Sequence, residues 1–216
     1  MAKEIKGFIF DLDGVITDTA EYHYKSWQKL ADEEDLDFDR EVNEQLRGVS
    51  RMESMDIILD GKDVPDEQKK EWTDRKNKYY QVYLEEISKS DILDDMEAKL
   101  NKLKAEGYKL AVGSSSRNAR KVLKNLQITD IFDTIADGNS VKHAKPAPDL
   151  FLHAAKNLEL EPEECVVLED AESGVEAALA ANMKAVGVGP EGRVGKAHLV
   201  YADVDSIDFD EIIKKL

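Results

Sequence analysis

Cys165 is the only cysteine in the chain, so an intrachain disulfide framework is excluded. No apolar run approaches the roughly 18 residues that a membrane-spanning helix needs. Positive charge is also short: 30 Lys and Arg stand against 46 Asp and Glu, a formal balance of −16. Nucleic-acid backbones and anionic membranes repel such a chain, so neither is an expected partner. No internal repeat or low-complexity segment is present. The opening Met1-Ala2-Lys3-Glu4-Ile5-Lys6 runs into a stretch too short and too charged for a signal peptide. Together these absences predict a cytoplasmic protein.

The 216 residues, 42% apolar and 35% charged, describe a globular chain. That length accommodates one large domain, or a domain carrying a smaller insertion, and buries enough surface to fold without disulfides or structural metal. Short apolar runs at Gly7–Phe10, Lys109–Gly113, Thr134–Ala136, Val166–Leu168 and Ala185–Val188 predict strands. Helical periodicity lies between them, around Met96–Glu106, Ala119–Leu126, Pro148–Asn157 and Ser173–Ala181. The alternation predicts a parallel sheet with helices on both faces. About seventy residues after the first strand break it. There, Asp18-Thr19-Ala20-Glu21 resembles a capping box, Trp27, Leu30 and Ala31 continue an apolar face, and Glu41–Leu46, Met52–Leu59 and Glu67–Ile87 read as helix. Pro65 suits the start of the last of these. This is the pattern of an inserted helical cap.

Four elements carry chemistry. Asp11 and Asp13 flank Leu12 where the first strand ends; residues two apart in an extended segment face one side, so both carboxylates address one ligand. Gly14 permits a sharp turn there. Ser114-Ser115-Ser116-Arg117-Asn118 opens a helix after the second strand, where hydroxyls and free N–H groups can hold phosphate; simple N-capping explains the serines equally well. Lys145, before Pro146, sits in a rigid loop that can aim an ammonium group, although one lysine alone reads as a solvated charge. Glu169-Asp170 closes a strand, as a solvated turn or, beside Asp11, as ligands for a hard cation such as magnesium. All four fall at predicted C-terminal strand ends, where open α/β sheets build their sites.

The ordered set Asp11-x-Asp13, Ser114, Lys145 and Glu169-Asp170 resembles the haloacid dehalogenase superfamily over the whole chain. Four further motifs are similar to its β-phosphoglucomutase branch: Phe10 through His23 with Trp27, Gly48-Val49-Ser50-Arg51, Arg75-Lys76-Asn77, and Lys145-Pro146-Ala147-Pro148-Asp149. The resemblance implies a Rossmann-like α/β core of residues 1–16 and 91–216 with an inserted α-helical cap of residues 17–90. It implies reversible interconversion of β-D-glucose 1-phosphate and glucose 6-phosphate through β-glucose 1,6-bisphosphate, in a monomer. Asp11 would attack the phosphoryl group and become an aspartyl phosphate. Asp13 would be general acid and base, which requires a raised pKa. Mg2+ would be held by Asp11, the Asp13 carbonyl and Asp170, with Glu169 supporting its shell. Lys145 and Ser114 would bind the transferring phosphate; Arg51, Ser116 and Asn118 would hold the other one. His23 and Lys76 would contact the sugar or place Asp13, and Thr19 would lie at the core–cap hinge. Trp27 reads as packing.

The sequence departs from the branch in having Arg47 for a usual lysine, Arg117 for a frequent one, and Leu93-Asp94-Asp95-Met96 where a Pro-Gly pair is common. The alternative function within the superfamily is a sugar-phosphate or phosphoglycolate phosphatase. A non-catalytic sensor is disfavoured because Asp11, Asp13, Lys145 and Asp170 are all present.

Overall fold

The computed structural model describes residues 3–216, so Met1 and Ala2, at the head of the expected core segment and of the stretch weighed as a signal peptide, lie outside the described residues. Six strands, β1 (Gly7–Phe10), β2 (Lys109–Gly113), β3 (Thr134–Ala136), β4 (Cys165–Glu169), β5 (Lys184–Val188) and β6 (Leu199–Tyr201), form one sheet. Its order is β3-β2-β1-β4-β5-β6 and every neighbouring pair is parallel. Side chains alternate between two buried layers: Phe8 and Phe10, Leu110 and Val112, and Val166 and Leu168 enter one, while Ile9, Ala111, Cys165 and Val167 enter the other. Strands apolar on both faces are what a sheet covered by helices on each side demands. The chain runs outward from central β1 to β3 and returns to β4 on the other flank. That reversal creates a crevice at the C-terminal edge, between β1 and its neighbours.

Between β1 and β2 the chain forms α1 (Ala20–Glu34), α2 (Arg40–Glu44), α3 (Arg51–Leu59) and α4 (Asp66–Tyr83). These helices have their own core, with Trp27 and Leu30 packed among Met55, Ile58, Leu59 and Trp72. The remaining helices cover the sheet. On one face lie α5 (Met96–Ala105), α6 (Ala119–Asn125) and α10 (Phe209–Lys215); on the other lie α7 (Asp149–Leu158), α8 (Glu172–Ala180) and α9 (Glu191–Val194). None of the described helices is long and apolar enough to cross a membrane.

The helical insertion joins the sheet through two adjacent strands of chain. Thr17 pairs antiparallel with Ile92, its Oγ1 donates to the Asp91 carbonyl at 2.6 Å, and the Leu93 amide donates to the Ile16 carbonyl at 2.9 Å. Asp94 takes a left-handed φ of 43°, the conformation that a glycine would adopt there without steric cost.

Several local expectations change. Asp18 does not cap α1: the cap position is Thr19, and Asp18 accepts instead from the Ala20 amide at 2.8 Å. The Thr19 hydroxyl is engaged elsewhere, as described below. The helix expected over Glu67–Ile87 ends at Tyr83 and tightens into a 3-10 turn at Leu84–Glu86. β6, α9 and α10 are additions that short, weakly patterned segments do not announce.

Candidate active site

Asp11 is the first residue beyond β1, and its amide donates to the Leu168 carbonyl at 2.9 Å, which continues the sheet pairing by one step. Its carboxylate is therefore fixed by the sheet itself. Asp13 lies one turn further on, where Gly14 at φ 80° lets the chain fold back so that the Gly14 amide reaches the Thr17 carbonyl at 2.7 Å. The Asp13 carboxylate accepts from both the Thr19 amide and the Thr19 hydroxyl. Burial, reinforced by the charge of Asp11, pushes the Asp13 carboxyl up to about 6, against the opposing Thr19 hydrogen bonds. A carboxyl poised there can both give and take a proton near neutral pH.

Lys145 is wholly buried. It does not stand at a strand end: β3 stops at Ala136, and the loop that follows carries Lys145 back beneath the sheet edge before α7 begins. Nζ lies 2.5 Å from Asp11 Oδ1 and 2.5 Å from Glu169 Oε1. Burial opposes its charge, but the two carboxylates outweigh burial and hold it above the ordinary lysine range. Lys145 is the cation of this triad.

Glu169 does not face the cavity. One oxygen accepts from Lys145, the other from the Ala171 amide at 2.8 Å, and a methyl group on Gly174 of α8 would overlap its carboxylate. Its two oxygens each accept one hydrogen bond in this arrangement, so Glu169 holds Lys145 in place beside Asp11 and Asp170. Asp170 does face the cavity. Burial, then the charge of Asp11, raises its pKa. Two buried carboxylates crowding one another in this way favour a cation between them.

On the other flank, β2 delivers Ser114, whose amide pairs with the Ala136 carbonyl at 3.1 Å. The Ser114 hydroxyl accepts from the Ser116 amide and the Ser116 hydroxyl from the Asn118 amide, at 3.1 and 3.2 Å. Asn118 donates to Asn77 of α4 at 2.8 Å, which ties this loop to the helical insertion.

The helices close the site from above. A capping box between Ser50 and Glu53 fixes the start of α3 and places Arg51 in its first turn. Burial, followed by the neighbouring Arg117 guanidinium, lowers the Arg51 pKa. Among the described residues neither arginine makes a side-chain hydrogen bond or ion pair. Lys76 of α4 is buried too, and its hydrogen-bond partner is His23 Nδ1 at 2.8 Å. The ring faces of Trp27 and Tyr80 lie 4.8 and 4.9 Å from its Nζ. Burial first, and then Arg51, hold Lys76 well below the ordinary lysine value; His23 is also depressed, by burial and by Lys76.

These elements enclose a cavity of about 1040 Å³ lined by Asp11, Asp13, His23, Arg51, Lys76, Ser114, Ser116, Asn118 and Asp170. Thr19, Lys145 and Glu169 stand behind that lining. Thr19 is a support for Asp13: its Oγ1 bridges Asp13 and the Tyr80 hydroxyl, 2.9 Å away. Trp27, Tyr80, Arg47 and Arg117 also line the cavity. For Trp27 the signal was present, because it follows His23 by four residues on α1 and so shares its face.

A lone buried lysine costs stability when no anion is bound. Lys76→Met is therefore expected to raise ligand-free stability by about 1–3 kcal/mol and to lower turnover by about 100-fold. Thermal melting and steady-state kinetics check both; a lower melting temperature would contradict the reading of Lys76 as a buried amine without a carboxylate partner among the described residues.

The profile of the haloacid dehalogenase-like hydrolases matches residues 8–188, and so spans β1 through β5 and every element of the site. The chain belongs to that family. Within it, a Bacillus subtilis β-phosphoglucomutase is 45% identical over 189 residues, covering 86% of this chain and 84% of that one. The structure of a Clostridium difficile β-phosphoglucomutase superposes with a TM-score of 0.93 at 44% identity, covering 98% of this chain and 96% of that one. An Escherichia coli fructose-1-phosphate phosphatase is 32% identical over 191 residues, covering 87% of this chain and 98% of that one. The family resemblance thus extends through the helical insertion as well as the sheet.

Proposed function

We propose that this chain is a β-phosphoglucomutase, interconverting β-D-glucose 1-phosphate and glucose 6-phosphate through β-glucose 1,6-bisphosphate. The observation that carries the reading is the presence of two separate cationic groups, one held behind the cavity lining against Asp11 and one on the lining itself. Lys145 beside Asp11 serves the phosphoryl group that moves, and Arg51 with Arg117 offers unpartnered positive charge for a second phosphate. A phosphatase needs the first group alone; a bisphosphate needs both.

In the forward half-reaction an Asp11 carboxylate oxygen bonds to phosphorus as the bond from phosphorus to the sugar oxygen breaks. Asp13 gives its proton to that oxygen. In the return half, Asp13 takes a proton from the other sugar hydroxyl, whose oxygen attacks the aspartyl phosphate and restores Asp11. Lys145 and Ser114 orient the phosphoryl oxygens, while His23 and Lys76 contact the sugar. Arg51, Ser116 and Asn118 anchor the phosphate that stays, with Arg117 beside them.

The donor set fits Mg2+: two buried, mutually repelling carboxylates, Asp11 and Asp170, with the Asp13 carbonyl as a third oxygen. Mg2+ takes one or two carboxylates and keeps several waters, which matches this donor set. When bound, Mg2+ supplies positive charge that offsets the phosphoryl oxygens.

The intermediate must present first one phosphate and then the other to Asp11. A core of residues 1–16 and 91–216 and a cap of residues 17–90 would separate for this, about the Thr17–Ile92 pairing. The test is intact and peptide mass spectrometry after exposure to β-glucose 1,6-bisphosphate with Mg2+ and rapid acid quench. One phosphoryl group on Asp11 is expected; labelling elsewhere, or none, would overturn the nucleophile assignment.

A further inference from the structure

The turn between α2 and α3 is where the helical insertion rests on the sheet beside Asp170. Ser115 donates to the Gly48 carbonyl at 2.9 Å, and Ser173 to the Arg47 carbonyl at 3.4 Å. Gly48 has φ 73°, and a side chain there would collide with Ser173 and stand 3.0 Å from the Ala171 methyl. The backbone is thus seated closely enough to bring Arg47 over the sheet's C-terminal edge.

The Arg47 guanidinium then divides its donors. Nε and Nη2 bind the two oxygens of Glu44, at 2.9 and 3.3 Å, and Nη1 reaches across to Asp170 Oδ2 at 3.2 Å. From the sheet side, Arg193 Nε donates to the Asp170 carbonyl at 2.6 Å, and its other nitrogens lie 3.7 Å from Asp170 Oδ2 and 4.0 Å from Glu44. Glu44, Arg47, Asp170 and Arg193 form an alternating cluster that joins the two parts of the chain. Only a guanidinium can do this. Its planar fork grips Glu44 with two nitrogens and keeps a third for Asp170, whereas a lysine ammonium is a single point of charge.

We infer that Arg47 is a positioning residue that couples closure of the helical insertion to divalent-cation affinity through Asp170. The inference rests on the reading of Asp11 and Asp170 as the cation's carboxylates. In the closed state Arg47 orients Asp170 but also sets a positive charge beside the place where a dication binds, and the two cations repel. By linkage, whatever Arg47 costs the cation, the cation costs closure. A phosphate bound between them relieves the repulsion, so full closure with the metal in place is favoured when substrate is present. Opening frees Asp170 from Arg47 and strengthens its hold on the metal while the intermediate turns around.

Two measurements on the full chain test this, with Mg2+ alone as the probe. In metal-free protein, Arg47→Met is expected to enlarge the radius of gyration seen by small-angle scattering. By isothermal titration calorimetry it is expected to bind Mg2+ at least about fivefold more tightly than wild type. Arg47→Lys, which keeps the charge and loses the fork, should fall between the two in both readouts; a purely structural role would not grade in this way. Unchanged or weaker Mg2+ binding in Arg47→Met, with wild type binding normally, overturns the coupling and leaves the metal reading intact. A wild type that binds no Mg2+ overturns both.

Discussion

Asp11→Asn is expected to abolish glucose 6-phosphate formation and phosphate release together, by at least about four orders of magnitude, with a melting temperature equal to or above that of wild type. The first part follows from the loss of the only carboxylate that stands at the end of β1 in contact with Lys145. An amide oxygen is a poor nucleophile and leaves no acyl phosphate to pass on. The second part follows from crowding. The charge of Asp11 raises the pKa of Asp13, Glu169 and Asp170 alike, beyond what burial does to each. Neutralising it relieves two buried carboxyls, Glu169 and Asp170, and the half-buried Asp13 at once, and Lys145 keeps Glu169 as its partner. Activity and stability should therefore move in opposite directions, as they do where a site stores unfavourable charge for function. Kinetics of both products and thermal melting provide the check. A destabilised Asp11→Asn protein would show that Asp11 is primarily a structural partner of Lys145.

Lys145→Met is expected to do the reverse, losing activity and stability together. Lys145 is the shared counter-ion of Asp11 and Glu169, with no solvent to replace it. Methionine fills a similar volume but leaves both carboxylates buried without a cation, a change that costs about 3–5 kcal/mol. For a chain of this size that is a fall of roughly 6–20 °C in melting temperature. Glu169 is already raised by burial, against the lowering effect of Lys145; without Lys145 it must take up a proton, which is part of the cost. Denaturant unfolding measures the loss. A variant as stable as wild type would contradict the triad as described.

Much of this architecture could be read from residue order. The alternation of Phe8 and Phe10 against Ile9 and the turn at Gly14 place Asp11 and Asp13 with no knowledge of the rest of the chain. Strand-end logic likewise places Ser114 and Asp170. Lys145 was legible as a residue type in a rigid loop, but its position was not, because the loop after β3 travels well past the strand end before it returns. Thr19 and Glu169 were legible as belonging to the site and not for what they do there. Their roles depend on which hydrogen bonds were already taken: Thr19 by Asp13 and Tyr80, Glu169 by Lys145 and the Ala171 amide. Arg47 was visible only as a departure from a pattern, and Arg117 as that and as one member of the Ser114–Asn118 segment. What they touch is set by how the helical insertion sits on the sheet, and no local sequence rule records that.

Net charge was the least informative quantity for this function. A balance of −16 argues against nucleic acid, yet the cavity presents Arg51, Arg117 and Lys76 without carboxylate partners among the described residues. Much of the acid surplus lies on exposed helix faces, where pairs such as Lys70–Asp74 and Lys196–Glu172 are partly solvated and contribute little to stability. Anion binding is decided by the few cations that burial and neighbouring cations leave unpaired.

In the proposed mutase, Asp11 returns its phosphoryl group to a sugar hydroxyl and not to water. The direct test is to follow both products in one reaction of β-D-glucose 1-phosphate with Mg2+ and a β-glucose 1,6-bisphosphate primer. Glucose 6-phosphate is expected to form at least about 100-fold faster than inorganic phosphate, a margin on the scale that positioned groups supply. Phosphate release that keeps pace with substrate loss, with no glucose 6-phosphate formed, would contradict it and make the protein a phosphatase.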